Sequence, residues 1–216
     1  MEKIKLVIFD LDGTLVNAYP AIIESFQFTM QRLGYPKQNP RAIRGAVGWG
    51  DENLLKPFIG ERDLNKAILI YRRHHKEALL RGSSVFPKAG LLLKLLKRKG
   101  YKLAVASNRP TRFSKVLIRH LKINRYFNYV LCADKLKHIK PHPEILQKII
   151  QRLHVLPSEA IYVGDMAIDA QAGRSAKIKT IMLASGSSSL GEIKREKPFL
   201  ILKNASRLFT YFKRFP

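Results

Sequence analysis

From Pro87 onward, short apolar runs rich in β-formers alternate with amphipathic runs of helical period. Lys102 to Ala106, Tyr129 to Cys132, Ala160 to Gly164, Ile178 to Leu183 and a weaker run at Phe199 to Leu202 read as strands. Between and beyond them, Leu91, Leu92, Leu95 and Leu96 mark one helix. Thr111 to Leu121, Pro143 to Leu153, Ile168 to Ala176 and about Ala205 to Phe212 mark four more. This alternation of strand and helix implies a parallel sheet with helices on both faces. One further strand, Ile4 to Phe9, stands alone far upstream. A lone strand cannot bury itself, so it must join the same sheet.

No convincing strand pattern lies between Leu15 and Gly82. Ile22, Ile23, Phe26, Met30 and Leu33 recur at helical spacing up to Gly34, and Gly45, Gly48, Gly50 and Gly60 punctuate the stretch beyond it. Asp63 is placed to cap a helix running to about Leu80, and Gly82-Ser83-Ser84 reads as a linker. The expected organisation is an α/β core, a doubly wound, Rossmann-like parallel sheet, formed by residues 1–16 and 84–216. An inserted α-helical cap occupies residues 17–83. Its two connections, near Val16 to Pro20 and Gly82 to Pro87, would lie close together, so that the cap could close over whatever sits at the end of the first strand.

Composition narrows the setting. No apolar run approaches the ~20 residues a membrane helix needs, and Leu91 to Leu96 is broken by Lys94. The N-terminus reads as a strand rather than a signal segment. The single cysteine, Cys132, excludes an internal disulfide framework, fits a reducing compartment and reads as strand packing. These features predict a soluble cytoplasmic protein; whether it is a monomer or a homodimer is left open by the sequence. Forty Lys and Arg against sixteen Asp and Glu give a net charge of +24. The basic residues are scattered along the chain, with no basic tail, zinc-finger spacing or aromatic RNA-binding signature. A solvated basic surface is the first reading, a field attracting anionic substrates the second, and nucleic-acid binding the third.

The ends of the strands carry the chemistry-bearing residues. Asp10 and Asp12 follow the first strand, in the run Asp10-Leu11-Asp12-Gly13-Thr14. They are either turn acids facing water or a pair whose mutual repulsion attracts a hard cation such as Mg²⁺. Ser107-Asn108 follows the second core strand, Lys140-Pro141 precedes a helix, and Gly164-Asp165 with Asp169 follows another strand. Each has a bland reading as a turn, a surface lysine or a helix cap. In a parallel sheet, however, all these loops can emerge at one edge, where ligands bind.

This combination resembles the haloacid dehalogenase-like hydrolase superfamily, and within it the phosphoglycolate phosphatase-like group with a helical cap. Four family motifs stand in order: Asp10 to Thr14, Ser107-Asn108, Lys140-Pro141, and Gly164-Asp165 with Asp169. The resemblance covers nearly the whole chain. It implies a Mg²⁺-dependent phosphatase acting on a small phosphorylated metabolite through an aspartyl-phosphate. In that scheme Asp10 is the nucleophile and Asp12 the general acid and base. The metal is held by Asp10, the Asp12 carbonyl and Asp165, with Asp169 in support. Ser107 and Asn108 hold phosphoryl oxygens, and Lys140 neutralises charge. Asp12 and Gly164 favour a hydrolase over the dehalogenase and phosphomutase branches. Asn17 departs from the Asp often found there in relatives.

Candidates in the cap are Arg44, as a substrate carboxylate binder, and Trp49, as a pocket wall or a core residue; Lys56 lies nearby. His138 and His142 have a zinc-like spacing, but Pro141 between them prevents one continuous helix. His74-His75 read as surface residues. A phosphomutase, or a non-catalytic nucleic-acid-binding protein using the basic surface, are the competing readings.

Overall fold

A computed structural model describes residues 3–214. Strands β1 (Leu6–Phe9), β4 (Lys102–Ser107), β5 (Tyr129–Cys132), β6 (Ala160–Gly164), β7 (Lys179–Leu183) and β8 (Leu200–Leu202) form one sheet in the order β5-β4-β1-β6-β7-β8. Every pairing in it is parallel. The early strand therefore joins the sheet at its centre, between β4 and β6. The chain builds outward from β1 to one side, returns, and builds to the other. Such a reversal of strand order opens a crevice at the carboxyl ends of the strands.

Both faces of the sheet are covered, which is why β1 is apolar at all four positions. Side chains alternate. Val7, Phe9, Leu103, Val105, Ile161 and Val163 share one core with α5 (Ala89–Arg98), α6 (Thr111–His120) and α10 (Ala205–Arg214). Leu6, Ile8, Ala104, Ala106 and Tyr162 share the other with α7 (Glu144–Leu153) and α8 (Ala167–Ser175). The helix predicted around Leu91 buries Leu92, Leu93 and Leu96, while Leu91 itself points to solvent.

Between β1 and β4 the chain leaves the sheet through β2 (Val16–Asn17) and returns through β3 (Ser84–Val85), which pair antiparallel. The two connections thus lie side by side. The stretch read as a linker at Gly82 to Ser84 is instead the last helical residue followed by a strand. The segment between holds α1 (Tyr19–Leu33), α2 (Pro40–Gly45), α3 (Asp51–Leu55) and the long α4 (Glu61–Gly82). Helix α4 packs along α1, and Phe26 meets Phe58 edge-on at 5.0 Å. It begins two residues before Asp63, with Gly60 at its N-cap, so Asp63 does not cap it. The Asp63 carboxylate accepts instead from the Tyr35 hydroxyl at 3.0 Å. A short helix that the sequence did not predict, α9 (Leu190–Arg195), follows β7. Ser189 and Glu192 make a reciprocal capping box at its start.

Candidate active site

Four loops meet at the carboxyl edge of the sheet. Asp10 follows β1, Ser107-Asn108 ends β4, Lys140 lies between β5 and α7, and Asp165 follows β6. They line, or lie beside, a cavity of about 50 Å³ whose wall includes Asp10, Asp12, Ser107, Asn108, Lys140 and Asp169. The helical segment closes the other side with Val47, Gly48, Leu54, Tyr71 and His75.

Lys140 is the hub. Its ammonium donates to Asp10 Oδ1 at 2.6 Å and Asp169 Oδ1 at 2.8 Å, with the Ala106 carbonyl and the Tyr162 hydroxyl also in reach. Burial disfavours its charge, but Asp10 and Asp169 more than compensate and hold its pKa well above the ordinary lysine value. Asn108 fixes the loop that carries it. The Asn108 side chain donates to the Lys140 carbonyl and accepts from the Lys140 amide. Its second amide hydrogen reaches the Gly48 carbonyl at 2.9 Å. Both side-chain donors of the expected phosphate binder are therefore engaged by backbone. Ser107 is buried at the cavity wall, its hydroxyl accepting from the Arg109 amide.

Asp10, Asp165 and Asp169 place one carboxylate oxygen each within 4.8 Å of one another, all buried. Burial, then Asp169 and Asp12 against the opposing pull of Lys140, raises Asp10 to a pKa of about 7. Burial and the charges of Asp10 and Asp169 push Asp165 well above the ordinary carboxylate range. Fully ionised, the three carboxylates would outweigh the one Lys140 ammonium by two negative charges, which a divalent cation would neutralise. Oxygen-only donors suit a hard ion. The Asp169 oxygens already accept four bonds, from Lys140, Tyr162 and the Asp165 and Met166 amides. Asp10 and Asp165 are thus the carboxylates open to direct coordination, with Asp169 orienting from behind. Asp165 is itself oriented by Thr14 Oγ1 at 2.7 Å and the Ser187 amide. Gly13 and Gly186 approach it so closely that a Cβ on either would collide with its carboxylate.

Asp12 lies apart from this cluster. Arg109 Nε and Nη2 donate to its two oxygens, each at 2.8 Å, a bidentate pair that is mostly buried. Arg109 Nη1 reaches His75 Nε2 at 2.6 Å. Arginine only donates, so His75 Nε2 accepts and the ring proton sits on Nδ1, directed at Ser25 Oγ 3.0 Å away. Burial and the Arg109 charge lower the His75 pKa to about 2. The ring is stacked on Tyr71 and is 1% exposed, which corrects its assignment to the surface. Neither Arg109 nor His75 stood out in the sequence. Tyr71, His75 and Leu79 fall at successive i+4 positions of the buried stripe of α4, and that periodicity was the available signal.

Neither cap candidate is among the residues that line the cavity. Arg44 stacks over the Tyr19 ring at 4.1 Å and donates to the Ser185 and Gly186 carbonyls, outside the cavity lining. Trp49 is 39% exposed, between the lining residues Gly48 and Gly50. Lys56 is exposed. The His138 and His142 rings are 4.6 Å apart on a loop, and neither belongs to a group of three metal-ligating side chains among the described residues. Cys132 is buried in β5. No helix among the described residues is long and apolar enough to cross a membrane.

Comparison with known proteins agrees with this architecture. The model of the family described as haloacid dehalogenase-like hydrolase matches residues 7–183. A Bacillus cereus protein named pyrophosphatase PpaX is 32% identical over 221 aligned positions, covering 95% of each chain. A protein of Aquifex aeolicus named phosphoglycolate phosphatase is 30% identical over 182 positions, 84% of this chain and 85% of its own. Among solved structures, a predicted phosphoglycolate phosphatase from Haemophilus somnus superposes with a TM-score of 0.91 at 26% identity, covering 98% of this chain and 99% of that one. With the family match spanning β1 to β7 and the motif residues assembled at one sheet edge, the chain belongs to the haloacid dehalogenase-like hydrolases, among relatives that are phosphatases.

Proposed function

We propose that the protein is a Mg²⁺-dependent phosphatase that hydrolyses a small phosphate ester or anhydride through a covalent Asp10 phosphoenzyme. The observation that carries this reading is the Asp10 carboxylate. It stands at the end of β1 on the cavity wall, with one oxygen on Lys140 and with Asp165 beside it. Asp10 attacks phosphorus as the bond to the leaving oxygen breaks. Asp12 gives the leaving oxygen its proton. Asp12 then takes a proton from water as that water attacks the phosphoenzyme, and phosphate leaves. Lys140 balances charge between Asp10 and the phosphoryl group, and Ser107 offers its hydroxyl to a phosphoryl oxygen. Asn108 serves by bracketing Lys140. A bound divalent ion supplies the positive charge that lets an anionic phosphate approach anionic Asp10.

Residues 17–83 act as the cap over a core of residues 1–16 and 84–216. The cavity accommodates only a few waters' worth of volume, roughly 10–15 Å³ for each by this measure. That favours a leaving group the size of glycolate or phosphate, as in the names of the relatives, over a nucleoside or sugar. Gly164 stands where the mutase branch usually has Glu, in keeping with transfer to water.

The test is phosphate release from phosphoglycolate, pyrophosphate and a panel of sugar and nucleoside phosphates, with Mg²⁺ and with EDTA. Release should require metal and fall by at least about 1000-fold in Asp10→Asn. An Asp10→Asn variant that keeps near-normal turnover would sink the covalent mechanism. Steep, salt-sensitive nucleic-acid binding without any turnover would favour the binding reading instead.

A further inference from the structure

Arg109 stands next to the place a leaving group must occupy. If Asp12 protonates the leaving oxygen, that oxygen lies within hydrogen-bond reach of Asp12. Arg109 holds both Asp12 oxygens at 2.8 Å and itself lines the cavity. Guanidinium has five N–H groups. Two face Asp12 and one faces His75, so the remaining two, on the terminal nitrogens, are available to a further acceptor. The other charged group on this side, Asp51, is paired with Arg72 at 2.8 Å. His75 is held neutral by its surroundings and so accepts rather than competes. Among the described residues no second cation lines this part of the wall; Lys140 is committed to Asp10 and Asp169.

We propose that Arg109 is the specificity-determining residue. Its free N–H groups take a second anionic group of the substrate, a carboxylate or phosphate a few bonds beyond the scissile oxygen. His75 is the positioning residue that fixes the guanidinium. The inference deepens the phosphatase reading and rests on it. The substrate class is then a phosphate whose leaving group is itself an anion. Arginine suits this task because its planar fork matches carboxylate and phosphate oxygens in parallel pairs. A neutral leaving group of equal size leaves those donors buried and unmatched, which disfavours it.

The test compares kcat/KM for phosphoglycolate and ethyl phosphate, two alkyl esters whose leaving groups differ in charge. The wild-type enzyme should prefer the anionic member by about 100-fold or more. In Arg109→Gln the ratio should shrink to within about fivefold, whatever loss the two substrates share. His75→Gln, which keeps an acceptor, should retain most of the preference. His75→Leu should lose it through a raised KM for the anionic substrate, with the neutral one little changed, a split that simple loosening of the fold does not produce. A wild-type enzyme without preference, or an Arg109→Gln variant that keeps it, overturns the inference while leaving the phosphatase reading intact. The same ratio is read as calorimetric Kd for phosphoglycolate and ethyl phosphate in Asp10→Asn, with and without Arg109→Gln. Even with a variant that does not turn over, or with the phosphatase reading itself overturned, that binding ratio still decides the role of Arg109.

Discussion

Asp10 carries a proton problem as well as a reaction. Its pKa in the metal-free fold is about 7, against an ordinary value of 3.8, because burial and neighbouring carboxylates outweigh Lys140. The folded state therefore keeps a proton that the unfolded chain releases between about pH 4 and 7. This contribution to stability is complete below pH 4 and is lost as pH rises through 7. Asp165 is shifted in the same direction. A divalent ion bound at Asp10 and Asp165, as proposed, would replace the proton, so added Mg²⁺ should raise Tm more at pH 8 than at pH 5. Thermal melts in Mg²⁺ and in EDTA at the two values check this, and an equal increment at both would refute it. Asp10 and Asp165 were legible in the sequence because each directly follows a β-rich run, and Lys140 and Asp169 because they complete motifs in the expected order. Arg109 was not, being one of forty basic residues with a partner 34 positions away in sequence. His75 was misplaced because two adjacent histidines suggest a solvated pair, although only one of them falls on the apolar stripe of α4.

At the level of elements, the alternation after Pro87 was clear enough for every core strand, and for α5, α6, α7, α8 and α10, to be placed within a few residues. What the pattern could not reveal were pieces too short to have a period. Strands β2 and β3 contain two residues each, and α9 is announced only by its capping box. The loop from β7 to α9 proves to matter. Its Ser187 amide holds Asp165, its Ser187 hydroxyl meets the Tyr19 hydroxyl at 2.7 Å, and its Ser185 and Gly186 carbonyls accept from Arg44. Arg44 thus ties α2 to the segment that orients the Asp165 carboxylate, and itself lies outside the cavity lining. Arg44→Ala should leave the fold intact and weaken Mg²⁺ binding by about tenfold, the scale of one charge-assisted hydrogen bond. A Mg²⁺ titration of activity or a calorimetric Kd reads this directly. An unchanged Kd would show that the loop holds its shape without the arginine.

Across the whole molecule, the surface and the site have opposite charge. The chain carries +24, yet the site gathers Asp10, Asp12, Asp165 and Asp169 against Lys140 and Arg109. A basic exterior around an acidic centre would, under the proposed function, draw phosphorylated anions inward from a distance and leave the final approach to a bound cation. The pairing of β2 with β3 has a consequence for how the molecule comes together. Strand β1 must find β4 about a hundred residues away, Leu6 opposite Lys102, before the centre of the sheet exists. Closing so long a loop from an open chain is slow. The contacts of α1 with α4 are closer in sequence, and once made they carry β3 to the side of β2, leaving only α5 between the joined strands and β4. The helical segment would then serve as a clasp during folding before it serves as a wall. Phe26→Ala, in the α1 core, should slow refolding in stopped-flow mixing; a change confined to unfolding would mean that the sheet assembles first.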